Sequence, residues 1–315
     1  MSQPSTPAFA DLTDSVLPGI ALMLGFCITA PLIDVASKLA AVNIPVGQIT
    51  TARFIVQGAI MAPVCLWLGY SLRLDMRLLG KLSLRAVLLI LSTYCFVAAI
   101  QVMPIADALA IVFVEPFIIL LIGKLVFAEQ VGPRRIIASI LGFGGSLLVI
   151  QPSFTAFGMV ALYPLGTALF FAFYMLVTRS LSRRMHPVPM QLHTSIVAAL
   201  ICLPVMIVAE IGDISPLDPV MPVGIDWLWL VAVGAASALS HLMMSYALRY
   251  APSSTLAPLH YLEIVTAVIL GYTVFGDLPN TLTFLGIGVI VGAGLYIFMR
   301  ERALSHQTRG AKATT

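Results

Sequence analysis

Residues 103–118, MPIADALAIVFVEPFI, and residues 251–266, APSSTLAPLHYLEIVT, decide how this chain is read. Each carries a proline at its second position, Pro104 or Pro252, and then a glutamate, Glu115 or Glu263, both pairs 148 positions apart. The same offset relates Phe127 to Phe275 and Glu129 to Asp277. Both glutamates stand inside apolar runs, where a carboxylate is expensive and usually lines a polar cavity or an ion path. Its recurrence at a fixed offset points to two homologous halves, the build of many secondary transporters.

The 315 residues are 60% hydrophobic and only 10% charged, too few charges to cover a water-soluble surface. Ten apolar segments are long enough to span a bilayer: 17–36, 47–69, 84–102, 104–124, 133–150, 157–178, 189–210, 225–247, 254–274 and 281–299. With the N-terminus cytoplasmic, 15 of the 17 lysines and arginines fall on the cytoplasmic side, including Arg85 and Arg179. Lys38 then reads as an interfacial residue reaching for water, and Arg53 lies within a span. Both termini are expected in the cytoplasm. Five spans per half, an odd number, would insert the second half upside down relative to the first. The division reads as tail 1–16, first repeat 17–152, second repeat 153–299 and tail 300–315.

Met103-Pro104-Ile105-Ala106-Asp107-Ala108, then Glu115-Pro116-Phe117, then Phe127-Ala128-Glu129, with the glycine-bearing segment Gly142, Gly144, Gly145, resemble the drug/metabolite transporter superfamily. The nearer likeness is to the EamA-type ten-helix permeases, repeated as Ala251-Pro252-Ser253-Ser254, Gly276-Asp277 and Gly286, Gly288, Gly292, Gly294. The resemblance implies an all-α integral membrane fold of two inverted five-helix repeats. It also implies a central cavity enclosed by spans one, three, four, six, eight and nine. Pro116 has no counterpart at Ile264, so the ninth span is expected to be straighter than the fourth.

Candidate pathway residues follow from chemistry and spacing. Glu115 and Glu263 are candidates for proton exchange, against the alternative of neutral carboxyls that only join helices. Asp107, Ile111 and Glu115 recur every four residues and His260 lies three before Glu263, so each set is expected on one helix face. His241 and His260 suit a proton relay, whereas His186 and His193 read as surface or interface residues. Asp34 and Arg53 read as a pair across spans one and two, or as a substrate clamp. Among the aromatics, Tyr261, Tyr246 and Tyr94 are candidates for the cavity wall, the first two beside His260 and one turn beyond His241. The spacing Gly288-x-x-x-Gly292 reads as a packing seam, more simply within the monomer than in a homodimer.

No nucleotide loop, metal-protease motif or nucleophile elbow is present in the sequence, and the four cysteines form no metal-binding pair. The reading is therefore a secondary transporter, not an enzyme, in the inner membrane, with no cofactor, metal or nucleic acid. Its partners would be the lipid bilayer, a small solute and protons as a candidate coupling ion. Export of an amino acid or related metabolite leads. Uptake of riboflavin or of an adenosine-like molecule such as S-adenosylmethionine is the alternative, and an integral-membrane enzyme is a distant third.

Overall fold

The computed structural model describes residues 16–71, 76–126, 132–212, 214, 217–293, 295, 296 and 299. Phe127, Glu129, Gly294, the tail 300–315 and all of 1–16 except Val16 lie outside the described residues. Three long helices come first: α1 (Val16–Ala40), α2 (Val46–Trp67) and α3 (Met76–Ile100). Then follow α4 (Ile105–Val112), α5 (Glu115–Val126), α6 (Pro133–Phe157), α7 (Leu162–Ser182), α8 (Pro187–Gly212) and α9 (Asp226–Tyr250). The last part holds α10 (Ser253–Leu256), a 3-10 stretch (Ala257–Leu262), α11 (Glu263–Leu270), a π turn (Gly271–Phe275) and α12 (Thr281–Ala293). Among the described residues there is no strand, and six helical stretches are long and apolar enough to cross a membrane.

Local chemistry sets the boundaries. Pro45, Pro104 and Pro252 hold extended backbone immediately before α2, α4 and α10, where a residue without an N–H loses nothing. The repeat-related prolines 104 and 252 thus do the same work. Gly276 takes φ 73°, a left-handed conformation that glycine adopts without strain, and ends the π turn. Gly158, at φ 59°, stops α6, which runs unbroken through residues 152–153.

The segment expected as one span over 104–124 is two helices, interrupted at Phe113 and Val114. Pro116 offers no N–H, and the carbonyl of Val114 takes up the N–H groups of Phe117 and Ile118 instead. The ninth segment is not straighter than the fourth; it passes through α, 3-10, α and π geometry in turn. Pro258 removes a backbone donor here, so the break survives without a proline after Glu263. In both halves the glutamate is the first residue of the resumed helix.

Packing is reciprocal: α1 lies along α9, α2 along α8 and α3 along α7. The bundle is apolar outside and polar within. On α8, Leu200, Ile207, Val208 and Ile211 are exposed, while Gln191, His193, Thr194 and Ser195 are buried. Water would select the opposite arrangement; a lipid solvent permits this one.

The glycine seam expected within the monomer is not there. A methyl group on Gly288 or Gly292 would meet open space, whereas Gly145 of α6 approaches the backbone of Gly286 and the side chain of Ile290 on another face of α12. Close approach matters elsewhere too. Gly234 of α9 lies so near α2 that a methyl group would overlap Val56. Gly234→Ala is expected to cost about 1–3 kcal/mol through overpacking. Gly288→Ala should stay within about 0.5 kcal/mol. Thermal unfolding in detergent compares the two.

Candidate substrate and proton pathway

The α1–α2 and α3–α4 turns mark one end of the bundle, termed distal, and the α7–α8 turn the other, termed proximal. Between them lies a cavity of about 90 Å³ in this conformation, smaller than the roughly 300–1,000 Å³ of a small-molecule site. It is walled by α1, α3, α4, α5, α7, α9 and the 3-10 and α11 segments, with α2 adding Arg53. The contribution of α2 adds a wall to the enclosure that the resemblance implied.

Six of the ten candidate residues line this cavity: Asp34, Arg53, Glu115, His241, His260 and Glu263. The helix breaks are why both glutamates arrive there. Each is the first residue of a resumed helix and lines the cavity. Glu115 Oε2 lies 3.1 Å from His260 Nδ1, with both side chains almost wholly buried. Phe26 stacks on the His260 ring with centroids 5.1 Å apart, and Phe171 is tilted against it at 5.8 Å. Phe96 and Phe113 complete an aromatic lining.

Arg53 does not pair with Asp34. Its amino groups donate to Thr93 Oγ1 and to His241 Nε2, although Asp34 lines the same cavity. Among the described residues, three buried polar atoms of the lining lack a partner: Arg53 Nε, Glu115 Oε1 and His260 Nε2. Buried polar atoms are normally satisfied, so one donor, one acceptor and one ring nitrogen are left for a solute or water.

The other four candidates lie elsewhere. Asp107 is buried at the start of α4 but outside the cavity lining, because the break at residues 113–114 ends the four-residue register with Glu115. Tyr261 is buried edge-on against Phe113 and presses on Gly142 of α6, pointing away from the cavity that its neighbour His260 enters. Tyr94 faces the α2 and α8 side. Tyr246 lies near the proximal end, 3.4 Å from His186.

Several residues given surface roles are structural. Lys38 forms an ion pair with Asp277 at 3.0 Å, donates to the Met103 carbonyl at 3.3 Å and lies over Phe275, tying α1 to two distal turns. His193 is buried. His186 stacks on Tyr70 and meets its hydroxyl at 2.9 Å. Arg85, counted as cytoplasmic, is fully buried, and Arg179 donates to the Leu248 carbonyl near the end of α9. The signal for Arg85 was present, since it lies at the edge of an apolar run, but basic residues there usually face water.

The family model described as the EamA-like transporter family matches residues 17–151 and 158–299. This chain belongs to the EamA-like transporter family. Among its relatives is a riboflavin transporter of Rhizobium johnstonii, 28% identical over 69% of this chain and 69% of that protein. Another is an S-adenosylmethionine uptake transporter of Rickettsia prowazekii, 22% identical over 93% of this chain and 96% of the relative. A solved crystal structure superposes with a TM-score of 0.72 at 18% identity, covering 91% of this chain and 98% of the other, which establishes a shared fold. This EamA-like transporter is accordingly a multi-pass membrane protein.

Two outcomes follow from the geometry. Glu115→Ala strands His260 in an apolar interior and is expected to destabilise by about 3–5 kcal/mol. Glu115→Gln, which keeps a hydrogen-bonding group, should cost clearly less in the same thermal assay. At the proximal end, burial first and Arg249 second push His186 down to about 4 from 6.5. A depressed histidine pKa means the folded state binds fewer protons than the unfolded one. Its stabilising contribution is therefore present above pH 6.5 and lost as pH falls toward 4. The melting midpoint of His186→Gln should fall less than wild type across that window.

Proposed function

We propose that this EamA-like transporter is a secondary active carrier of a small polar solute bearing an aromatic ring, taken up across the inner membrane by alternating access. The observation that carries the reading is one cavity whose lining joins four phenylalanines to Arg53, Glu115, His260 and Glu263. Once alternating access widens the cavity, flat rings would pack between Phe26, Phe96, Phe113 and Phe171, with their polar edges meeting the unpartnered atoms. The names of the relatives make riboflavin and S-adenosylmethionine the first solutes to test.

The architecture that fits this function is ten spans in two inverted repeats, with both termini cytoplasmic and the joint between the repeats at Gly158. Reciprocal pairing of α1 with α9 and α3 with α7 supports the inversion, since exchanging the halves maps one pair onto the other. So do the matched breaks before Glu115 and Glu263. Discontinuous helices of this kind favour solute and ion sites near mid-depth. The solute would cross unchanged, and the Glu115–His260 pair with Glu263 would exchange the coupling proton.

Export of a zwitterionic amino acid is the second reading, favoured by the presence of Arg53 and two glutamates in one cavity lining. Purified protein in liposomes, loaded in turn with riboflavin, S-adenosylmethionine and aromatic amino acids, separates the two. Counterflow of a ring-bearing solute is expected. Exchange of amino acids alone would replace the first reading with the second, and a chemically altered solute would overturn both. Glu115→Gln and Glu263→Gln should each slow proton-driven transport by at least about tenfold, some 1.4 kcal/mol of barrier. Undiminished pH-driven transport in both would remove the proton role.

A further inference from the structure

Arg85 holds a guanidinium in the centre of the bundle with no exposure. Neutral groups from three other helices answer its donors. Nε donates to Thr178 Oγ1 at 2.9 Å and Nη1 to Thr194 Oγ1, while Nη2 reaches the Tyr174 hydroxyl at 2.7 Å and Gln191 Oε1 at 2.8 Å. Ser245 of α9 lies at 3.4 Å, and the Tyr174 ring centroid is 4.7 Å from the guanidinium carbon. The ion pairs found among the described residues, Lys38–Asp277 and His260–Glu115, do not involve it. A buried cation without a counter-ion costs several kcal/mol. A neutral amide would join the same four helices more cheaply, so the charge needs a reason.

The reason lies one side chain further on. Tyr174 presents its hydroxyl oxygen 3.0 Å from His241 Nδ1, and His241 Nε2 meets Arg53 Nη2. Arginine can only donate, so Nε2 must be the bare, accepting nitrogen. The neutral ring then carries its proton on Nδ1 and donates it to the Tyr174 oxygen, which Arg85 also reaches. Phe26 and Phe171 stand edge-on to the ring at 6.0 and 6.1 Å and leave it little room to turn.

We propose that Arg85 is a positioning residue which, through Tyr174, holds His241 as the neutral Nδ1–H tautomer and so fixes the Arg53 guanidinium on the cavity wall. The charged and titratable groups acting on His241 are Arg53 from α2, Arg85 from α3, Tyr174 from α7 and His260 from the 3-10 stretch. Asp34 of α1, Glu115 of α5 and Glu263 of α11 line the same cavity. A second proton on His241 would expel Arg53 from Nε2 and set three positive charges in a row. His241 is therefore a fixed acceptor, and proton exchange is left to Glu115, His260 and Glu263. The cation facing the solute keeps its place whatever the glutamates carry.

The test has two arms, and only the second rests on the carrier reading. Solid-state NMR of protein labelled with 15N-histidine in lipid should reveal one neutral ring with a bare Nε2 that disappears in His241→Gln. That signal should be the same at about pH 8 and about pH 5.5, a range in which free histidine titrates. Arg85→Gln should mix the tautomers or protonate the ring at the lower pH, and Arg85→Lys should restore the wild-type signal. Tyr174→Phe, which removes one hydroxyl and keeps the charge, should mix the tautomers too and serves if Arg85→Gln does not fold. A proton on Nε2 in the wild type, or an unaltered His241 signal in Arg85→Gln or Tyr174→Phe, would overturn the proposal. In liposomes with riboflavin as probe, Tyr174→Phe should raise KM about tenfold, the scale of one hydrogen bond to a charged group, and leave the maximal rate near wild type. A loss of rate at constant KM would mark a structural role only and sink the positioning claim. Should wild-type protein carry no riboflavin, the KM comparison is made with S-adenosylmethionine; should it carry neither, the substrate reading falls while the NMR arm still decides the tautomer.

Discussion

Interrupting a helix inside an apolar bundle frees backbone N–H and C=O groups that lipid cannot answer, so a break survives only where protein or a polar cavity takes them up. This chain makes two such breaks at repeat-related places, before Glu115 and before Glu263. Each places a carboxylate as the first residue of a resumed helix. The cavity exists because both resumed helices begin in the same region of the bundle. Their first residues line it from two sides, with His260 joined to Glu115.

Opposite the acids runs a second polar system. Arg85, Tyr174, His241, Arg53 and Thr93 form one hydrogen-bonded column from the buried interior to the cavity wall, drawing on α2, α3, α7 and α9. Among the described residues no ion pair joins Arg53 to Asp34, Glu115 or Glu263, although all four line one cavity. At the distal end, Lys38 and Asp277 close a different gap, fastening α1 to the turn after the π segment.

The sequence was most informative where physics acts locally. Apolar runs marked where the helices lie, and Pro104 and Pro252 marked two helix entries that the structure confirms as equivalent. The 148-residue offset singled out Glu115 and Glu263 before any geometry was known. Orientation around a helix was read less well. Asp107 looked coupled to Glu115 through a register that assumed an unbroken helix, and Tyr261 was assigned to the cavity because His260 is its neighbour. In a 3-10 segment adjacent side chains diverge by about 120°, so neighbours in sequence face different walls.

Composition, the internal repeat and the buried carboxylates alone determined that this is a helical membrane protein with paired acids at its centre. Those properties depend on transfer free energies and on spacing along one chain. Only the tertiary structure decided that Arg85 is a core residue, that Arg53 turns to His241 rather than Asp34, and that Gly288 and Gly292 face open space. The physical reason is that a buried charge or a close approach is defined by its partners. Here those partners come from helices as much as 188 residues away along the chain.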